Sequence, residues 1–168
     1  ILYGVLNASP DSLATDTIVT TPEEATVRST QLLGEGANAL DLGGQGSTDN
    51  ATVVHWSTEW ARVKNLIPAV SGLGVDVSID SWRPEVVSRA LQAGATVINA
   101  ADGMQTDAMW QVATDFDVPI VVPFLSGPNP REMALVGSDP VQSMIDFFDA
   151  RLADADRFGL RSRCILDP

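Results

Sequence analysis

Val75-Asp76-Val77-Ser78-Ile79-Asp80-Ser81-Trp82, near the middle of the chain, reads as a short β-strand. Branched residues alternate with polar ones from Val75 to Ile79, the period-two pattern of a strand with two unlike faces. The strand ends at a carboxylate, Asp80, and a helix start follows over 81–85. Asp is a common helix N-cap, so one reading gives Asp80 a capping role. The other has it face a ligand, because a charge at a strand end is poorly placed for core packing.

Similar apolar runs lie on both sides, at 1–6, 38–42, 95–98, 119–122 and 164–166. Helical patterns separate them. Thr21-Pro22-Glu23-Glu24 opens the first with a cap, a proline and a capping box, and Gly34 and Gly36 stop it. A second starts near Ser57 and aligns Trp60, Val63, Ile67 and Val70 on one face. A third covers 84–93, and a fourth covers 107–116 with Met109, Val112, Ala113 and Phe116 on one side. A fifth begins at Ser138 and Pro140, with Val141, Met144, Ile145, Phe148, Leu152 and Ala155 turned inward. Alternating strands and helices specify an α/β fold with a parallel sheet. Six strands and five helices fit an open doubly wound sheet or a (β/α)8 TIM-type barrel two strands short. The sequence opens inside an apolar run without a methionine and stops one step after another. Both ends read as cuts, so the expectation is one barrel domain over 1–168, truncated at its C-terminal end.

The chain has 168 residues, 45% of them apolar, which is enough for one core. Ten basic against twenty-two acidic side chains give a net charge of −12. That argues against nucleic acid, which wants a basic surface. It also means that a bound phosphate needs a metal ion or backbone amides beside it. No apolar run approaches the roughly 18 residues of a membrane span. The single Cys164 excludes an internal disulfide and fits a reducing, cytoplasmic setting.

In either architecture ligands bind at the C-terminal strand ends. There stand Asn7, the loop Gly43-Gly44-Gln45-Gly46-Ser47-Thr48, Asp80, Asn99 and Asp167. Carboxylates accept hydrogen bonds, while an amide both donates and accepts. Together they suit a flat heterocycle with an amino group and ring N–H donors, such as a pterin or guanine edge, and they repel anions. The glycine-rich loop could cradle a phosphate through its amides, helped by Ser47 and Thr48. It lacks the third glycine of a dinucleotide fingerprint. No histidine joins the set, and His55 reads as a surface residue near a helix start.

These residues resemble those of the dihydropteroate synthase or pterin-binding domain family. Asn7-Ala8-Ser9-Pro10-Asp11-Ser12 is similar to the family's Asn-x-Thr-Pro-Asp-Ser, and Asp41-Leu42-Gly43-Gly44-Gln45-Gly46-Ser47-Thr48 to its Asp-x-Gly-Gly-Glu-Ser-Thr. Ser78-Ile79-Asp80-Ser81-Trp82-Arg83, Ile98-Asn99 and Ile165-Leu166-Asp167-Pro168 look like its Ser-x-Asp-Thr, Ile-Asn-Asp and Leu-Asp-Pro-Gly. The resemblance implies a TIM barrel that joins p-aminobenzoate to 6-hydroxymethyl-7,8-dihydropterin pyrophosphate and releases pyrophosphate. Asp80, Asn99 and Asp167 would then bind the pterin, with Asp80 and Asp167 also catalytic. Ser47 and Thr48 would meet the pyrophosphate. Asn7 would ligate Mg²⁺, the implied cofactor, and the full-length protein would be a homodimer. A non-catalytic pterin or folate-binding homologue and a pterin-dependent methyltransferase are the alternatives. They draw weight from departures: Asp49 replaces an arginine, Leu13 a phenylalanine and Ala100 an aspartate, while Pro123 occupies the region of the family's fifth-strand histidine.

Overall fold

In the computed structural model the chain forms six strands: β1 (Tyr3–Asn7), β2 (Ala39–Gly43), β3 (Asp76–Ser81), β4 (Val97–Ala100), β5 (Ile120–Pro123) and β6 (Cys164–Asp167). Its helices are α1 (Pro22–Gly34), α2 (Trp56–Val63), α3 (Leu66–Ser71), α4 (Pro84–Gln92), α5 (Asp107–Phe116) and α6 (Pro140–Phe158). The structure describes residues 1–12, 15–48, 51–134 and 137–168. Every strand pair is parallel, and the sheet order is β1-β2-β3-β4-β5-β6.

That unreversed order separates the two architectures. Right-handed crossovers between strands taken in sequence put every helix on one face, whereas a doubly wound sheet must reverse its order. Curvature agrees. Laid flat, six strands would hold their edges roughly 24 Å apart. Yet Tyr3 of β1 and Ile165 and Asp167 of β6 line a single hollow with residues of the middle strands. The sheet is curled, with helices outside, as the wall of a TIM-type barrel.

The pleat sorts the side chains. Leu6, Leu40, Leu42, Val77, Ile79, Ile98, Ile120 and Val122 turn outward and are buried in the core beneath the helices. The fit there is close at Gly4, where an added Cβ would come within 2.9 Å of the Leu32 Cβ on α1. The alternate positions, from Tyr3 to Asp167, are left to the inside of the curl.

Two expectations about the helices need correction. The second expected helix is two, α2 and α3. Pro68 has no N–H to give the Lys64 carbonyl and its ring would collide with that carbonyl, so a continuous helix breaks there. The apolar face survives the break: Val63, Ile67 and Val70 are buried, with Trp60 packed against them. In α6, Phe148 and Ala155 are buried, but Val141 is 62% and Ile145 44% exposed. A helix of 19 residues is about 28 Å long, against roughly 13 Å for the four-residue β5. Its first turns overhang the strands, so their apolar stripe has no sheet beneath it. Asp139 caps this helix by accepting from the Gln142 amide at 3.0 Å.

Gly4→Ala should destabilise the fold by about 1–3 kcal/mol, because sheet and α1 must part to admit the methyl. Urea unfolding of the variant checks this; an unchanged midpoint would show that α1 is not held at this distance.

Candidate active site

The strand register puts the sequence-selected residues in one line. Asn7 pairs with Gly43, Gly43 with Asp80, Asp80 with Asn99, Asn99 with Val121, and Val121 with Ile165. Asp167 stands two residues past Ile165, on the same face and one level higher. One level lower, Val5, Asp41, Ser78 and Val97 form the next row. Asp80 is not a cap. The N-cap of α4 is Arg83, whose amide hydrogen bonds to the Ser81 hydroxyl at 3.2 Å. The capping reading of Asp80 is therefore overturned.

Gly43 opens the space between Asn7 and Asp80. A Cβ there would lie 3.2 Å from the Asp80 Oδ2 and 3.8 Å from the Asn7 Oδ1. The Asn7 amide nitrogen donates to Thr17 Oγ1 at 2.6 Å, leaving the carboxamide oxygen on the Gly43 side.

Inside the curl is a hollow of about 270 Å³, lined by Tyr3, Asp41, Ser78, Asn99, Val121 and Asp167, among others. Asn99 and Asp167 share it. Asp80 is not part of its lining and sits beside it, next to Asn99 in the register. Among the described residues no Lys, Arg or His lines the hollow. Burial pushes the Asp41 carboxyl up, and the nearby Ser78 hydroxyl and Asn99 amide offset part of the rise. Burial also pushes Asp80 well above the carboxylate range, helped by the negative charges of Asp41 and Glu59. Two such acids on adjacent strands favour keeping a proton between them. The mouth of the curl can thus donate as well as accept, and it holds no counter-charge for an anion. A larger depression, about 650 Å³, lies over 124–128 and the start of α6. Its one ionisable lining residue, Asp146, already accepts from Gln142 at 2.7 Å, so it offers little chemistry.

The rim is stitched from buried polar groups. Gln45 donates to the carbonyls of Gly46 and Thr52, both at 3.0 Å, and accepts from the Val54 amide at 2.9 Å. Asp11 takes the Thr52 amide at 3.1 Å, tying the first loop to the second. Arg62 donates to the Gly44 carbonyl at 2.8 Å, and Arg83 pairs with the buried Glu59. Ser47 is exposed on this rim, and the Thr48 hydroxyl is buried without a partner. Asp49 and Leu13 lie outside the described residues.

Residues 3–168 match the sequence signature of the pterin binding enzyme family. The chain belongs to that family. It is 31% identical over 171 residues to the type-2 dihydropteroate synthase of Escherichia coli, covering all of this chain and 63% of the relative. It is 30% identical to the dihydropteroate synthase of Neisseria meningitidis serogroup B, across 99% of this chain and 60% of that one. Among solved structures, Xanthomonas albilineans dihydropteroate synthase with 4-aminobenzoic acid superposes with a TM-score of 0.86 at 30% identity, over 99% of this chain and 60% of the other. The Anaplasma phagocytophilum enzyme with bound 6-hydroxymethylpterin-monophosphate gives 0.83 at 26%, over 99% and 65%. The chain spans about three fifths of the length of the curated relatives named here.

Within a pterin binding enzyme the strand-end reasoning missed Asp41, Ser78 and Tyr3. All three face the hollow one or two pleats below the strand ends. The polar members of the alternation in the opening stretch, Asp76, Ser78 and Asp80, carried that signal for β3. His55 is exposed, as the sequence suggests, and its Nδ1 caps α2 through the Ser57 amide. Among the described residues no three His, Cys, Asp or Glu side chains gather as a metal cage.

Asp102 follows β4 in a tight turn. It is buried and accepts from the Met104 amide at 3.0 Å and the Thr106 hydroxyl at 3.4 Å. Burial outweighs these bonds and pushes its carboxyl from 3.8 up to about 6. The folded state therefore holds this proton more tightly than the unfolded chain does. Its contribution is full below about pH 4 and is lost as the pH rises through about 6. Asp102→Asn should flatten that fall by roughly 2–3 kcal/mol, read from denaturant unfolding at a series of pH values. An unaltered slope would show that the proton is held elsewhere.

Proposed function

We propose that the protein carrying this chain is a dihydropteroate synthase, a transferase of folate biosynthesis. It would condense 6-hydroxymethyl-7,8-dihydropterin pyrophosphate with p-aminobenzoate. The observation that carries this reading is Asn99 and Asp167 in one hollow, with Asp80 next to Asn99 in the register and, among the described residues, no Lys, Arg or His in the lining. Such a set suits a ring edge rich in N–H donors. Relatives solved with a pterin monophosphate and with 4-aminobenzoate support it.

In the reaction the amine nitrogen of p-aminobenzoate bonds to the exocyclic methylene carbon of the pterin. The carbon–oxygen bond to the diphosphate breaks, and the nitrogen gives up a proton. Asn99 and Asp167 hold the pterin edge, and Asp80 completes the grip from the neighbouring position. The buried acids also favour the positive charge that grows on the ring as the diphosphate departs. Ser47 and Thr48 meet the phosphate end on the rim, where Gln45 and Asp11 hold the loops. When bound, Mg²⁺ would offset the charge of the diphosphate. The free carboxamide oxygen of Asn7 fits this hard cation, which commonly takes few protein ligands and keeps its waters and substrate phosphates. The same reading places the protein in the cytoplasm, as a homodimer without nucleic acid or membrane partners. No helix among the described residues is long and apolar enough to cross a membrane.

Full-length protein given both substrates and Mg²⁺ should release pyrophosphate and form dihydropteroate. No product at high protein concentration would reject the reading. Asp80→Ala should weaken pterin binding about 10–100-fold, the loss of one charged hydrogen bond. Its stability should change by less than about 1 kcal/mol, since a deeply set acid among other acids is no anchor. Calorimetry and thermal unfolding together check this; a large loss of stability would make Asp80 structural instead.

A further inference from the structure

Asp41 belongs to none of the roles assigned above, yet it is the acid most tightly joined to them. It lies on β2 one row beneath Gly43, beside Ser78 in the register, and it lines the hollow. The Asn99 amide nitrogen stands 3.4 Å from each of its two oxygens. The nitrogen therefore sits astride the carboxylate, and its hydrogens are drawn to that side. Among the described residues no hydrogen bond reaches the Asn99 carboxamide oxygen. Ser78 supplies a second observation. It is 1% exposed, lines the same hollow, and its hydroxyl lies near enough to the Asp41 carboxylate to steady its charge. Asp41 is thus steadied by two polar side chains, Ser78 and Asn99, on the two strands beyond it.

An unheld carboxamide can present either its donor or its acceptor, since the two differ by a flip about one bond. We propose that Asp41 is a positioning residue of the pterin pocket: by holding the Asn99 amide group it commits the Asn99 oxygen to the ligand. Asn99 is then an acceptor, matched to an N–H of the ring. The inference rests on the pterin reading given under Proposed function and adds what selects the amino-bearing ring. The elevated proton affinity of Asp41 and Asp80 agrees with it, because two buried acids so placed need a donor between them.

The test compares pterin with lumazine, which carries a carbonyl where pterin carries its amino group, by calorimetry on the full-length protein. Native protein should prefer pterin. Asp41→Ala should lower the pterin-to-lumazine affinity ratio by about tenfold or more, the worth of one charge-assisted hydrogen bond. Asp41→Asn keeps one acceptor oxygen and should restore most of the ratio. Equal weakening of both ligands, or an unchanged ratio, would overturn the positioning role while leaving the pterin reading intact. Native protein that binds neither ring would remove the pterin reading itself, and the proposal with it. Should Asp41→Ala fail to fold, the native protein still decides through its nitrogen-15 labelled Asn99 side chain. Slow solvent exchange of that amide group is expected, and exchange as fast as in a free amide would overturn the proposal.

Discussion

The pleat of six parallel strands taken in sequence is the constraint on which the rest depends. With all crossovers on one side, one face of the sheet must be apolar over its whole width and the other is released from that duty. Leu40, Leu42, Val77 and Ile79 meet the demand on the helix side. Their immediate neighbours, Asp41, Gly43, Ser78 and Asp80, could otherwise not be polar or small without breaking the core. Register then does the gathering. Residues more than ninety positions apart in sequence, Asn7 and Asn99, share one row because each strand starts in step with the one before it.

Polar interior rows are unfavourable in isolation, and the structure shows where that is offset. Burial lifts the proton affinity of both Asp41 and Asp80, and at Asp80 the negative charges of Asp41 and Glu59 add to the rise. The nearest fixed charges are placed on the rim: Arg83 is consumed by Glu59 and Arg62 by the Gly44 carbonyl. Loop order and ligand charge are thereby kept apart. The arginines brace the loops, and among the described residues the lining of the hollow has no Lys, Arg or His. Gln45 suits the same arrangement. An amide can donate twice and accept once in one place, which three backbone groups of the loop require.

Much of this was legible in the chain. Strand positions, the capping box at Thr21 and Glu24, and the strand-end residues Asn7, Asp80, Asn99 and Asp167 follow from local pattern and propensity. What escaped was set by geometry beyond the local window. Pro68 divided a face whose spacing was otherwise perfect for one helix. The stripe of α6 read as inward along its whole length, but the strands beneath are too short to cover Val141 and Ile145. Asp80 looked like a cap until the chain was seen to run on through Ser81 before turning. Asp41 and Ser78 were hidden for a different reason: they lie inside strands, where a polar residue is ordinarily read as the solvent face. In a curled sheet that face is the binding cavity.

The edges of the sheet carry the last step of the argument. Exposed apolar side chains gather there, with Leu2 and Val5 at β1 and Ile165 and Leu166 at β6. These two strands also supply the residues that close the hollow from either side. Asp167 sits on one of them and is exposed, unlike Asp41 and Asp80, whose acidity burial has altered. The acids about the hollow therefore grade from the half-buried Asp41 and Asp80 to the exposed Asp167. Burial thus sets the acids apart: it raises the proton affinity of Asp41 and Asp80, which lie on adjacent strands, and the strand-end Asp167 stands outside that environment.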